Sequence, residues 1–258
     1  MNTELTRQLV NIAIDAACAA SEAICEIYQS TTVKTDIKPD HSPLTDADKR
    51  SHQIILNHLT RTNIPVLSEE GKEIPYEVRK EWEYLWLVDP LDGTKEFLSR
   101  NGEFTVNIAL IHRHSPVLGV IAVPVSGDVY FGGKDIGAFV RRRGVDVALP
   151  VRSAADLRQP GLRVVASRSH MNEETRTFIE SLKNPVLVSK GSSLKFMMLA
   201  EGEADIYPRL ATTMEWDTAA AQAILAKTGY KLIKQHTNEE LFYNKPDLQN
   251  PSFICLNF

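Results

Sequence analysis

The chain has 258 residues, 43% of them hydrophobic and 24% charged, with a formal net charge of −4. That length and mixture support one large or two modest cores and exclude a disordered chain; the acidic balance leaves no electrostatic footprint for a nucleic-acid polymer. The three cysteines, Cys18, Cys25 and Cys255, have neither an even count nor metal-ligand spacing, which argues against a secreted disulfide scaffold and for packing residues in a reducing compartment.

The first predicted element is a long helix from Thr3 to Gln29, in which Leu5, Leu9, Ile12, Ala16, Ala20, Ile24 and Ile27 recur on successive turns. Glu4 and Arg7 precede its apolar stretch and Asp15 interrupts it, so neither a signal peptide nor a membrane span is expected. Ser42-Pro43-Leu44-Thr45-Asp46-Ala47-Asp48 leads into a second helix, Asp48 to Thr60, whose apolar side is Ile54, Ile55 and Leu59. On that pattern alone Asp48 is an exposed helical residue. The short apolar segment Ile64-Pro65-Val66-Leu67 then opens onto Ser68-Glu69-Glu70-Gly71, which by itself is a solvated acidic turn.

Tyr84-Leu85-Trp86-Leu87-Val88 has the aromatic and aliphatic density of a buried strand. Pro90 is predicted to end it, with the carboxylates of Asp89 and Asp92 emerging where the strand reaches solvent. Pro90 and Gly93 favour a sharp fold-back through their restricted and permissive dihedrals, which lets Asp89, Asp92 and the Leu91 carbonyl converge on one cation. Thr94-Lys95-Glu96-Phe97-Leu98 is predicted as a first helical turn, where free amides and the helix dipole attract a phosphate oxygen. Capping of that helix is the plainer use of Asp89 and Asp92. Phosphatases that form an aspartyl phosphate carry Asp-x-Asp-Gly-Thr, with one residue between the carboxylates. Two intervene here, so Asp89 reads as a metal ligand and not as a nucleophile.

Phe104 to Val151 alternates apolar stretches with turn signals at His114-Ser115-Pro116, Ser126-Gly127-Asp128, Gly132-Gly133 and Arg143-Gly144, which predicts antiparallel strands. Arg141-Arg142-Arg143 reads as a solvated hairpin end. The composition changes over Ser153 to Gly161. Beyond it, strands at Arg163–Ser167 and Val186–Ser189 flank a helix at Asn172–Leu182; helices follow at Ser192–Glu201 and Thr218–Lys227, with strand-like segments at Asp205–Tyr207 and Tyr230–Ile233. The fold class is α/β, with an α+β N-terminal half (residues 1–152) carrying the carboxylates and an α/β C-terminal half (residues 153–258) contributing Asp217 and substrate contacts.

The segment Trp86 to Thr94 resembles the signature of the inositol-monophosphatase superfamily of lithium-sensitive, magnesium-dependent phosphatases. Three further elements stand in the superfamily's order: Thr45 to Asp48, the Glu69-Glu70 pair, and Trp216-Asp217 opening a late helix. The resemblance implies a layered α-β-α-β-α sandwich with its site between the two halves, and two or more magnesium ions (Mg2+) per site. It implies that Glu69, Asp89 and the Leu91 carbonyl hold the ion that activates water, while Asp89, Asp92 and Asp217 hold the ion facing the leaving group, with the phosphate bridging them beside Gly93. It also assigns Asp48, in preference to Asp46, to a dyad with Thr94 that takes the proton of the attacking water, and it counts Glu69 among the catalytic residues.

Lys95-Glu96-Phe97, Asn101 to Ala109, Gly191 to Phe196 and Tyr207-Pro208-Arg209 are similar to the 3'(2'),5'-bisphosphate nucleotidases within that superfamily. That similarity implies hydrolysis of the 3'-phosphate of adenosine 3',5'-bisphosphate to AMP and phosphate in sulfur assimilation, with 3'-phosphoadenylyl sulfate as a related substrate. The phosphate that is not cleaved needs a cationic seat, which the resemblance puts at Ser192, Lys195 and Arg209, with His170 nearby. An inositol monophosphatase is the alternative enzyme, and a magnesium- and nucleotide-binding sensor is the non-enzymatic one. A cytoplasmic location is implied, with peripheral association on the cytoplasmic side of the inner membrane among some relatives.

Overall fold

Alternation along the strand Tyr84–Asp92 divides the molecule into layers, because successive side chains of a strand point to opposite faces. Leu85 and Leu87 enter a core shared with the C-terminal half, whereas Trp86 and Val88 enter a second core under the first two helices. The computed structural model describes residues 3–30, 35–37, 43–154, 156–166 and 171–257.

In chain order, helix α1 (Thr3–Gln29) is followed by a ribbon of β1 (Thr35–Ile37) and β2 (Pro43–Thr45), then by α2 (Asp46–Leu59). Next come β3 (Val66–Ser68), α3 (Tyr76–Arg79), β4 (Tyr84–Asp92) and α4 (Thr94–Leu98). The strands β5 (Thr105–His112), β6 (Ser115–Val123), β7 (Asp128–Gly133), β8 (Gly137–Arg142) and β9 (Val145–Ala148) form an antiparallel meander. They are followed by β10 (Arg163–Val165), α5 (Glu173–Glu180), β11 (Val186–Val188), α6 (Leu194–Glu201) and β12 (Ile206–Arg209). The last elements are β13 (Thr213–Met214), α7 (Glu215–Leu225), β14 (Tyr230–Lys234), β15 (Gln249–Asn250) and β16 (Phe253–Asn257).

One sheet has seven strands in the order β3-β4-β5-β6-β7-β8-β9, and the other has five in the order β11-β10-β12-β16-β14. Helices α1 and α2 cover one face of the first sheet. Helices α6 and α7 fill the space between the sheets with Phe196, Leu199, Ala220 and Ile224, against Tyr207, Leu232 and Phe253 of the second sheet. Helix α5 closes the far side through Ile179, over Val164 and Ile206. This is the α-β-α-β-α layering that the resemblance implies. Among the described residues no helix is long and apolar enough to cross a membrane.

The approach of α7 to the first sheet is set by glycine. A Cβ at Gly119 would lie 2.1 Å from the Ala220 carbonyl oxygen, and one at Gly132 would lie 3.2 Å from the Ile224 Cα. With Ala219, Ala220 and Ala221 on the helix, backbone lies almost directly on backbone. The crossing brings the N-terminal turn of α7, with Asp217, to the end of β4.

Three expectations need correction. Strand β4 does not stop at Pro90 but continues to Asp92. Helix α6 begins at Leu194 and not at Ser192, since Ser192 has a left-handed backbone with φ of +52°. Strand β16, which pairs with both β12 and β14 in the second sheet, had no counterpart in the sequence reading.

Candidate active site

Strand β4 pairs with β5 at Val88↔Ile108 and Asp89↔Asn107, and pairing resumes at Asp92↔Thr105 across a bulge. Pro90 sits in that bulge, where its missing N–H breaks no ladder bond, which is why it does not end the strand. The Ser51 hydroxyl of α2 donates to the Pro90 carbonyl at 2.6 Å, and the Leu91 N–H donates to Asp89 Oδ1 at 3.1 Å. The bulge therefore turns Asp89 and Asp92 toward one another. Asp89 is only 2% exposed, so the expectation that it emerges into solvent fails. Sheet β5 on one side and α2 on the other cover it, and Asp92 is half-buried. Gly93 takes a φ of +94°, and a Cβ there would meet Ser192 Cβ at 3.2 Å and the Glu103 carbonyl oxygen at 3.3 Å. It ends the bulge and starts α4 in a space that only glycine fits without strain.

Two further carboxylates reach the bulge from other elements. The Glu69 N–H donates to the Val88 carbonyl at 3.1 Å, which continues the parallel pairing of β3 with β4 and sets Glu69 beside Asp89. Asp217 accepts the Met214 N–H at 2.8 Å, so it caps α7 while facing Asp92. Burial, followed by repulsion from Glu69, Asp92 and Asp217, pushes the Asp89 carboxyl far above the usual carboxylate range. Burial and then Asp92 do the same to Asp217. Two buried carboxyls held above their usual range by burial and by neighbouring acidic groups are a site for positive charge. Among the described residues no three of these side chains close into a metal cage. An all-oxygen, open donor set fits magnesium, which keeps several waters and takes substrate phosphate oxygens as ligands.

Thr94 opens α4, and its hydroxyl donates to Asp48 Oδ1 at 3.2 Å; the Leu91 carbonyl lies 3.5 Å from the same hydroxyl. Asp48 is 1% exposed, contrary to the periodicity-based expectation of an exposed residue. Its Oδ2 accepts the Thr45 N–H at 2.7 Å and the Thr45 hydroxyl at 2.5 Å, in a capping box that fixes the start of α2. Asp46 is exposed. The structure thus brings Asp48 and Thr94 together and leaves Asp46 out.

Beside the carboxylates lies an open cleft of about 170 Å³ lined by Asp92, Gly93, Ser192, Lys195, Arg209 and Asp217 among others. Lys195 Nζ donates to the Ser192 carbonyl at 3.1 Å, and burial lowers its pKa, with Asp92 opposing. Arg209 donates to the Thr212 carbonyl at 3.4 Å, while its buried Nε has no partner among the described residues. A buried guanidinium N–H lacking an acceptor awaits an anion. Tyr207 is buried in the wall of the cleft, edge-on to Phe196 at 5.0 Å. Glu215 is 0% exposed and takes the Asn244 N–H at 2.6 Å, the Lys245 N–H at 3.0 Å and Lys245 Nζ at 2.5 Å. It ties the C-terminal loop to α7. His170 lies outside the described residues. Glu96 also lines the cleft, and Ser193 donates to Asp92 Oδ2 at 2.8 Å. Neither had been singled out, although Ser193 directly follows the seat residue Ser192.

Over residues 5–257 the sequence matches the model of the inositol monophosphatase family. It is similar to the 3'(2'),5'-bisphosphate nucleotidase CysQ of Escherichia coli (strain K12), at 46% identity over 213 residues that cover 81% of this chain and 84% of that one. The 3'(2'),5'-bisphosphate nucleotidase CysQ of Haemophilus influenzae is 35% identical over 256 residues, covering 98% and 94% of the two chains. The crystal structure of CysQ from Bacteroides thetaiotaomicron, a bacterial member of the inositol monophosphatase family, aligns with a TM-score of 0.85 at 46% identity, covering 97% of each chain.

Proposed function

The chain belongs to the inositol monophosphatase family of metal-dependent phosphatases, and from that premise we propose that it is a magnesium-dependent 3'(2'),5'-bisphosphate nucleotidase. It removes the 3'-phosphate of adenosine 3',5'-bisphosphate, or of its 5'-sulfated analogue, in sulfur assimilation. The observation that carries the substrate choice is one cleft holding three carboxylates, Asp92, Glu96 and Asp217, together with two cations, Lys195 and Arg209. A monophosphate needs only the acidic part. A nucleotide with two phosphates uses both, and the Nε of Arg209, which has no partner among the described residues, supplies a donor for the second. The nucleotidases that this chain resembles at 35% to 46% identity support the same substrate class.

Glu69, Asp89, Asp92, Asp217 and the Leu91 carbonyl would hold the magnesium. When bound, it lowers the pKa of its water and neutralises charge on the attacking and departing oxygens. The protein's own part is to place and move protons. Because the Thr94 hydroxyl donates to Asp48, its oxygen is free to accept the proton of the attacking water, and Asp48 takes the hydroxyl proton in turn. Asp48 can do so because Thr45 fixes its other oxygen. The water oxygen bonds to phosphorus, the bond from phosphorus to the 3'-oxygen breaks, and that oxygen takes a proton from solvent water in the open cleft to leave as the ribose hydroxyl of AMP. Lys195, Arg209 and Ser192 hold the 5'-phosphate and so fix which ester faces the carboxylates. His170 is a further candidate for nucleotide contact on the strength of the sequence motif.

Phosphate release from a panel of adenosine 3',5'-bisphosphate, 3'-phosphoadenylyl sulfate and inositol monophosphate tests this assignment. The two nucleotides should be preferred, and lithium should inhibit in a magnesium-dependent way. A preference for inositol monophosphate would overturn the nucleotidase assignment, and no release from any of the three would overturn the enzymatic one.

A further inference from the structure

Between the acidic and the basic flanks runs a line of polar side chains: Thr105 at 0% exposure, Asn107 at 1% and Ser193 at 1%. Buried polar groups are costly unless each finds a partner, and here the partners form a directed chain. Ser193 Oγ lies 2.8 Å from Asp92 Oδ2. Ser193 donates to it, with the Asp217 carbonyl as a longer acceptor at 3.3 Å. Asn107 Nδ2 donates to Ser193 Oγ at 2.9 Å and, at 3.4 Å, also reaches Asp92 Oδ2. That fixes the amide orientation, since the opposite one would set oxygen against oxygen. Asn107 Oδ1 then accepts the Thr105 hydroxyl at 3.0 Å. Thr105 lies 2.7 Å from Ser192 Oγ, whose one proton has a second acceptor in the Asp92 carbonyl at 3.0 Å.

The chain therefore starts at the cleft, on Ser192, and ends on one oxygen of Asp92. It joins β5, in the first sheet, to the loop before α6, and it follows from the antiparallel register that sets Thr105 opposite Asp92 and Asn107 opposite Asp89. Asp92 pairs with Thr105 where the ladder resumes after the bulge, which holds its backbone. Its carboxylate is held by two donors on Oδ2.

We propose that Asn107 and Ser193 are positioning residues that hold the Asp92 carboxylate in its metal-binding orientation. This rests on the assignment of Asp92 as a metal ligand made above. Partners that orient a ligand in this way typically change metal affinity by about 10–100-fold when removed.

The test is calorimetric titration of the full chain with Mg2+ alone, without substrate, for wild type, Ser193→Ala, Ser193→Thr and Asn107→Leu. Thermal midpoints in EDTA are measured alongside. Ser193→Ala and Asn107→Leu should weaken Mg2+ binding by about tenfold or more, whereas Ser193→Thr, which keeps the hydroxyl, should bind nearly as wild type does. Turnover by Ser193→Ala should recover as Mg2+ is raised. If Asn107→Leu does not fold, the Ser193 pair decides. Mg2+ affinity unchanged in Ser193→Ala, or lost equally in Ser193→Thr, overturns the proposal while leaving the metal site intact. A wild-type chain that binds no Mg2+ overturns both. A fall in the EDTA midpoint with no change in Mg2+ affinity identifies the chain as structural only.

Discussion

On the acidic flank of the site four carboxylates are each fixed by a neighbour: Asp48 by Thr45, Asp89 by the Leu91 N–H, Asp92 by Ser193 and Asp217 by the Met214 N–H. On the basic flank Lys195 donates to a backbone carbonyl, Arg209 reaches another at 3.4 Å, and the Arg209 Nε has no acceptor among the described residues. Carbonyls orient a cation without neutralising it, so the positive charge stays available to a ligand. Under the proposed function the acidic groups, set in place by the fold, act on whatever phosphate arrives, and the basic groups select which molecule brings it. Rate should therefore depend on one flank and substrate choice on the other.

The largest effect should come from the acidic flank. Asp89→Asn or Asp92→Asn removes a charged ligand while keeping its shape, and turnover should vanish at saturating magnesium, with circular dichroism unchanged. Turnover within about tenfold of wild type, a loss of under about 1.4 kcal/mol, would reject the two-metal assignment. Next, Thr94→Ala removes the proton acceptor and should lower kcat by about 10²–10⁴-fold, the usual range for such help, with much less change in KM. This follows because the contact matters in the transition state. A raised KM with unchanged kcat would move Thr94 to holding substrate.

The two flanks also differ in how far the sequence discloses them. Residues 89–94 are contiguous, so the bulge, the turn at Gly93 and the helix start are all local consequences of Pro90, Gly93 and Thr94, and the motif is legible as it stands. Its depth was not, because the burial of Asp89 and Asp48 comes from α2 and β5 packing around them. The long helix and the meander followed from periodicity and turn signals, and their layering from the resemblance. Strand β16 was missed because its place is set by pairing with β12 and β14 across the second sheet, which local pattern does not display. Lys195 and Arg209 come from α6 and β12, and nothing in their own neighbourhoods distinguishes them from solvated charges; only the resemblance pointed to them. The chain from Ser192 to Asp92 was invisible, since its members are 86 to 101 residues apart in pairs such as Asn107 with Ser193 and Asp92 with Ser193.

A smaller and more selective effect is expected from the basic flank. Lys195→Met or Arg209→Met should lower kcat/KM for adenosine 3',5'-bisphosphate by about tenfold to a hundredfold, as charge-assisted hydrogen bonds of about 1.5–3 kcal/mol imply. Hydrolysis of inositol monophosphate, which lacks the second phosphate, should change little. Equal losses on both substrates would show that these residues support the acidic flank or the fold, and the division of labour between the flanks would fall.

The smallest effect separates the two cations by pH. Burial lowers the Lys195 pKa, so its charge is present at low pH and is lost as pH rises through a value below the ordinary lysine range. Arg209 stays charged throughout, because a guanidinium does not deprotonate in proteins. The ratio of kcat/KM for adenosine 3',5'-bisphosphate to that for inositol monophosphate should therefore fall on the alkaline side, by no more than the loss caused by Lys195→Met. Taking the ratio cancels any titration of the acidic flank common to both substrates, and kcat/KM reports groups of the free enzyme. In Lys195→Met the alkaline fall should disappear, while in Arg209→Met it should persist. A ratio that stays flat in wild type would mean that Lys195 does not carry its charge to the second phosphate. A fall that survives in Lys195→Met would assign the titration to another group.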